Sequence, residues 1–152
     1  MQRLLPPRLV ALLLAMMVLT TLIVPWPSLS WPARLFGLVP AVAGAILTVR
    51  HAQLFEQLGT NIITFDDPDV LVRHGAFAWT RNPMYLGFVL VLVGAAASLG
   101  AVVAMAGPIL FFVVADRWYI PFEEQRMATT FGTEYDEYAR HVHRWVHVRR
   151  PR

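Results

Sequence analysis

Hydrophobic residues gather in long unbroken stretches along this chain rather than alternating with polar ones. Leu9 to Val24 (LVALLLAMMVLTTLIV) is apolar apart from two threonines. A helix needs ~20 mostly apolar residues to cross ~30 Å of hydrocarbon, and this stretch meets that length once Arg8 snorkels to the interface. Pro25-Trp26-Pro27 ends it. A cleaved signal peptide is the rival reading. Against it, the run is long, no A-x-A-like site follows directly, and further apolar segments come later, so the segment is expected to be retained. A second run, Leu35 to Val49, is bracketed by Arg34 and Arg50 and extended by Trp31 and Phe55 as interfacial anchors.

The third run, Met84 to Ala115, carries no charge over 32 residues. As one helix it would measure roughly 48 Å, too long for a single crossing, so it must turn back. Ser98-Leu99-Gly100 is the predicted tip. Gly87, Gly94, Ala95, Ala96, Ala97, Ala101, Ala104 and Gly107 would let the two arms approach closely. The pattern predicts an all-α, multi-pass membrane protein of about four transmembrane helices in one domain, 1–152. The spans run near 9–24, 33–52, 83–98 and 100–121, with a polar loop at 56–82 and an amphipathic helix at 133–146. With four spans, Arg3, Arg8, Arg50, Arg73, Arg81 and the Arg-rich tail fall on one side and Arg34 alone on the other. The positive-inside bias then puts both termini and both polar segments in the cytoplasm.

Composition agrees with a lipid environment, at 57% hydrophobic and 15% charged residues. All 13 basic residues are arginine, placed at the ends of apolar stretches and not in one cluster with interleaved aromatics, so the charge does not read as a nucleic-acid surface. There is no cysteine, which excludes disulfides, a thiolate nucleophile and zinc-thiolate sites. Codon usage implied by an Arg-only, Ala-rich composition is compatible with a GC-rich bacterial genome, and the expected location is a bacterial inner membrane.

Candidate chemistry lies in the polar segments. Asp66-Asp67-Pro68-Asp69 is a solvated turn in preference to a metal site, because Pro68 interrupts the carboxylates and His74 alone is near. His51, His141, His143 and His147 do not form a metal set, and no metal is expected. Thr80-Arg81-Asn82-Pro83-Met84-Tyr85 opens the third span, with Asn82 as helix N-cap and Pro83 at the first helical position. Such a helix start favours an anionic group. Arg81 and Tyr85 also have a plainer reading, as a snorkelling cation and an aromatic-belt residue. Where the fourth span emerges, Glu123-Glu124 places two carboxylates at the membrane edge, either facing a ligand or tied into an ion network. Arg117 and Glu124, seven apart, would share a face if the helix survives Pro121. Beyond Phe131-Gly132, Thr133 and Asp136 form a capping-box pattern. The final helix then carries Tyr135, Tyr138, Val142 and Trp145 in one stripe and Glu134, Glu137, His141 and Arg144 in another.

Taken together, Gly75-Ala76-Phe77-Ala78-Trp79-Thr80-Arg81-Asn82-Pro83-Met84-Tyr85-Leu86-Gly87, then Glu123-Glu124, then Phe131-Gly132 with Tyr135 and Tyr138 resemble the isoprenylcysteine carboxyl methyltransferase and phospholipid methyltransferase family. The likeness covers residues 75 to 145, with Ala76, Phe77 and Asn82 departing from the usual proline, tyrosine and histidine. It implies S-adenosylmethionine as methyl donor and a lipophilic acceptor such as a carboxylate, thiol, amine or lipid headgroup. It also implies cofactor-binding roles for Gly75, Phe77, Arg81, Asn82, Tyr85, Glu123 and Glu124. Glu137 and Arg144 are the candidates for orienting or deprotonating the acceptor. Two alternatives stay open: an NADPH-dependent membrane reductase with a similar C-terminal core, for which residues 56 to 80 offer only Arg73 as a cation, and a non-catalytic membrane module.

Overall fold

A computed structural model describes residues 5–24, 29–57 and 70–146. The described residues form helices joined by short non-helical segments, and the acidic turn around Pro68, the Pro25-Trp26-Pro27 stop, His147 and the Arg-rich tail lie outside them. Helix α1 spans Pro6–Ile23, α2 Trp31–Leu35 and α3 Leu38–Gln57. After a short 3-10 turn at Gly75–Ala78, α4 runs Pro83–Leu99, and the chain reverses at Gly100. The return arm is one helical rod, Val102–Phe131. It is built from a 3-10 turn, α5 (Ala106–Val114), a π-turn (Ala115–Tyr119) and α6 (Ile120–Phe131). Helix α7 is Thr133–His141.

Three of these helices, Pro6–Ile23, Trp31–Gln57 and Val102–Phe131, are long and apolar enough to cross a membrane by length and composition. Helix α4 is shorter, at 17 residues, near the lower limit for a crossing. Large apolar side chains cover the outside of the bundle: Val39, Val42, Ile46 and Val49 on α3, and Ile109, Leu110 and Val113 on α5 are exposed. In water that surface would be costly, whereas hydrocarbon accepts it. The interior core joins Leu9, Leu13 and Met17 of α1 to Phe88, Leu92 and Ala96 of α4 and to Ala104, Phe111 and Ala115 of the return arm.

The close approach differs from the expected one. Gly87 and Gly94 of α4 face α3, where they meet Gly44 and Gly37, and not the returning arm. Each pair is seven residues apart, so two glycines two turns apart on one helix oppose two on the other. A Cβ on Gly37 would stand 2.5 Å from the Ser98 hydroxyl and 2.6 Å from the Gly94 carbonyl. One on Gly44 would press against the Gly87 carbonyl. The α3 and α4 backbones are therefore in direct contact, as small-residue interfaces allow in membranes. Of the residues expected to close the hairpin, Gly107 instead receives the Met17 thioether of α1.

The tip is where the hydropathy pattern put it. Gly100 adopts φ 73°, a left-handed conformation glycine enters without strain, and its N–H caps α4 on the Ala96 and Ala97 carbonyls. Arg34 clips this tip: Leu29 donates its N–H to the Gly100 carbonyl at 3.0 Å, Arg34 Nε donates to the Leu29 carbonyl at 3.1 Å, and Ser98 donates to the Arg34 carbonyl at 3.3 Å.

Candidate active site

At the other end of α4, Pro83 occupies the first turn, where its missing N–H costs nothing. Asn82 stands at the N-cap position as expected, but its side chain makes no capping bond to this helix. Its amide Nδ2 donates instead to the Arg144 carbonyl at 3.0 Å. The Thr80 hydroxyl donates to the same carbonyl at 3.3 Å, and Arg81 donates its N–H to the His143 carbonyl at 3.0 Å. Residues 142–146 are thus strapped across the start of α4 by three successive residues.

Facing that strap is the π-turn. A regular helix would drive the Pro121 ring into the carbonyl four residues back and leave that carbonyl without a donor. Here Ile120 reaches one residue further, donating its N–H to the Ala115 carbonyl, and the helix passes through Pro121 unbroken. A π-turn takes ~4.4 residues against ~3.6 for an α-turn, so two turns here span about eight residues rather than seven. This overturns the expected pairing of Arg117 with Glu124. Arg117 is exposed, and Asp116, eight residues before Glu124, shares its side instead.

Both carboxylates close on Arg144. Its Nη2 donates to Glu124 Oε2 at 2.6 Å and its Nε to Glu124 Oε1 at 3.2 Å, a bidentate grip, while Nη1 donates to Asp116 Oδ1 at 3.2 Å. Arg81 Nη2 adds a bond to Glu124 Oε1 at 2.7 Å, and its Nη1 donates to the Ala139 carbonyl at 3.3 Å. Glu124 and Arg81 are largely buried, at 19% and 14% side-chain exposure, so this ion network sits where water screens it poorly. The hydrogen bonds to Glu124 hold Arg144 more firmly protonated than an ordinary arginine. The Tyr85 hydroxyl donates to Glu123 Oε1 at 2.7 Å, and its ring stacks on Tyr119 at 6.1 Å. Arg81 Nε is buried and has no hydrogen-bond partner among the described residues.

Arg81, Asn82, Tyr85, Glu123, Glu124 and Arg144 therefore lie together at one end of the bundle. Other candidates lie apart. Phe77 packs edge-on against His51 at 5.3 Å and Phe55 at 5.9 Å, on α3, and its carbonyl accepts the Tyr138 hydroxyl at 2.7 Å. Gly75 opens the same turn at φ 64°. Glu137 is exposed on α7, its backbone carbonyl bonded to the His141 ring, and does not join the network. The expected polar stripe of the last helix is not one surface: Glu134 pairs with Arg73, while α7 stops at His141, five residues before the expected end, so Arg144 approaches from a non-helical segment. The capping box is likewise absent, since Gly132 is the N-cap and no side chain caps α7. Tyr135, Tyr138 and Val142 do form a buried cluster with Leu71, Met127 and Phe131, fastening α7 to α6 and to the loop before α4. Burial, with the Glu124 charge nearby, pushes Tyr135 up to about 12, and burial, against the opposing pull of Arg81, raises Tyr138 to about 12.

Asp116 and Thr80 were not singled out by sequence reasoning. Asp116 had one usable signal, a carboxylate directly at the end of the 32-residue uncharged run.

Residues 32–134 match the model of a family described as phospholipid methyltransferase, well over half of the chain. The chain belongs to the phospholipid methyltransferase family. It is similar to protein-S-isoprenylcysteine O-methyltransferase A of Arabidopsis thaliana, with 31% identity over 142 residues, covering 87% of this chain and 69% of that protein. A probable protein-S-isoprenylcysteine O-methyltransferase of Oryza sativa subsp. indica is 30% identical over 118 residues, 74% of this chain and 60% of the relative. An uncharacterized protein of Haemophilus influenzae is 36% identical over 63 residues, 41% of this chain and all of that protein. Membership of a methyltransferase family implies a methyl donor. The family match contains Arg81, Asn82, Tyr85, Asp116, Glu123 and Glu124 and stops before Tyr135 and Arg144.

Proposed function

We propose that this chain transfers the methyl group of S-adenosylmethionine to a lipophilic acceptor at the cytoplasmic edge of a bacterial inner membrane. The observation that carries this reading is the gathering of Arg81, Tyr85, Glu123 and Glu124 around the N-terminus of α4, with one guanidinium N–H of Arg81 buried and unpartnered. A donor of this kind carries a sulfonium, a carboxylate, an ammonium and ribose hydroxyls. The residues fit it: the buried Arg81 Nε suits the carboxylate, and Glu123 and Glu124 suit the cationic and hydroxyl groups. Bound there, S-adenosylmethionine supplies an electrophilic methyl group.

The chain's own residues then have three tasks: orienting, excluding water and handling protons. Tyr85 and Arg81 hold the two glutamates in place, and α7 with its strap covers this end of the bundle. Alignment of the two reacting atoms carries much of the rate in such a displacement. Proton removal is poorly served by the gathered groups. Glu124 is neutralised by two guanidiniums, and Tyr135 and Tyr138 keep their protons up to about 12. An acceptor that arrives already ionised needs no base, and the plant relatives are named as O-methyltransferases. We therefore favour a lipophilic carboxylate, converted to its methyl ester, over an amine or lipid headgroup. Arg144, with its guanidinium spent on Glu124 and Asp116, serves to orient the site, and the exposed Glu137 has no part in it.

Calorimetric titration of the purified protein in detergent tests the reading. S-adenosylhomocysteine, the demethylated donor, should bind and NADPH should not. Binding of NADPH alone would turn the assignment to a membrane reductase, and binding of neither to a non-catalytic module.

A further inference from the structure

We propose that Asp116 is a positioning residue of this site: from the π-turn it fixes Arg144 and Trp145 together, and so sets the Arg144 guanidinium on both oxygens of Glu124. One oxygen of Asp116, Oδ1, accepts from Arg144 Nη1 at 3.2 Å and from Trp145 Nε1 at 2.9 Å. Two neighbouring residues turning their side chains to the same oxygen leave the backbone between them little freedom. The indole is held further by stacking on Phe112 of α5 at 4.6 Å, with the ring planes 28° apart. On its opposite edge the strap is bonded through the His143 and Arg144 carbonyls to Arg81, Thr80 and Asn82. The other carboxylate oxygen, Oδ2, has Arg117 Nε at 3.8 Å, but Arg117 is 76% exposed and adds little.

The π-turn makes this possible. With a seven-residue repeat Asp116 would line up with Glu123, whereas the extra residue lines it up with Glu124, where one guanidinium spans both carboxylates. All three guanidinium nitrogens of Arg144 are then in use, two on Glu124 and one on Asp116. Free of Asp116, the guanidinium could rotate about its stem and keep only one bond to Glu124, leaving that carboxylate misdirected toward the donor.

The proposal rests on the donor-site reading above, and the test separates the two. Asp116→Asn keeps the shape and removes the charge. In detergent-solubilised protein, the affinity for S-adenosylhomocysteine should fall about tenfold, the usual effect of losing one charge-assisted hydrogen bond. In an Arg144→Gln background the same change should cost less than about twofold, because Asp116 acts through Arg144. The Nε1 proton resonance of Trp145, identified by its disappearance in Trp145→Phe, should move upfield in Asp116→Asn while the other indole resonances stay in place. An equal loss of affinity in both backgrounds, or no loss in either, would overturn the positioning role. If the unaltered protein binds no S-adenosylhomocysteine, the donor-site reading fails. An indole resonance that stays put in Asp116→Asn would overturn the anchoring whatever the donor does.

Discussion

Replacing Glu124 with glutamine removes one charge from a carboxylate that receives three N–H bonds, one from Arg81 and two from Arg144. The shape is kept, but the new amide NH2 must face a guanidinium donor. Breaking a fully buried ion pair costs about 3–5 kcal/mol, and an exposed pair about 0–1. With side-chain exposures of 14%, 19% and 32% for Arg81, Glu124 and Arg144, and with Asp116 still balancing Arg144, the expected loss is about 2–3 kcal/mol. Melting of the protein in detergent without ligand should therefore fall. If Glu124 also receives the donor's hydroxyls or ammonium, affinity for S-adenosylhomocysteine should fall as well. Losing one charge-assisted bond is worth about 1.5–3 kcal/mol, or roughly ten- to 150-fold. Calorimetry and thermal melting on the one variant decide the matter. A lowered melting point with unchanged affinity would make Glu124 a structural tie and nothing more, and would put the role of Glu123 in doubt. An unchanged melting point would refute the energetic weight given to the network.

Two further predictions follow from the fold and its placement in the membrane. Gly44→Leu or Gly87→Val forces a side chain into backbone contact and should destabilise the protein by about 1–3 kcal/mol or more, measured as lost folded yield and earlier melting; normal melting in both variants would contradict the direct contact of α3 and α4. For orientation, reporter fusions at residue 2 and after Arg152 should give a cytoplasmic signal and fusions near Leu99 the opposite one, and a C-terminus on the far side would end the four-span arrangement.

The positions of the long apolar helices and the reversal at Gly100 were legible because hydropathy and the length of the uncharged run mark where such helices begin and must turn back. Pairing of faces was not. Gly87 and Gly94 announce a close approach, yet glycine carries no side chain to say whether the partner is the next helix or the previous one, and only the matching Gly44 on α3 and Gly37 just before it resolve it. Arg81, Tyr85 and Glu124 were readable as a group from their motif. Their geometry was hidden because it depends on a π-turn that shifts the register by one residue, and on a strap over which the helical spacing of the sequence continues but whose backbone leaves the helix at Val142. Asn82 illustrates the same limit: a good capping residue spends its amide on a carbonyl 62 positions away.

The π-turn also acts as a ruler for comparing homologues. In a relative whose return arm is an unbroken α-helix, the carboxylate equivalent to Asp116 should stand seven positions before the glutamate equivalent to Glu124, not eight. An alignment that forbids gaps within helices would then set Asp116 against the residue before that carboxylate and conclude that the acid had been lost. A single-residue gap placed between Asp116 and Tyr119 restores the correspondence, so the spacing of two acidic positions becomes a means of telling from sequence which members of the family carry the bulge.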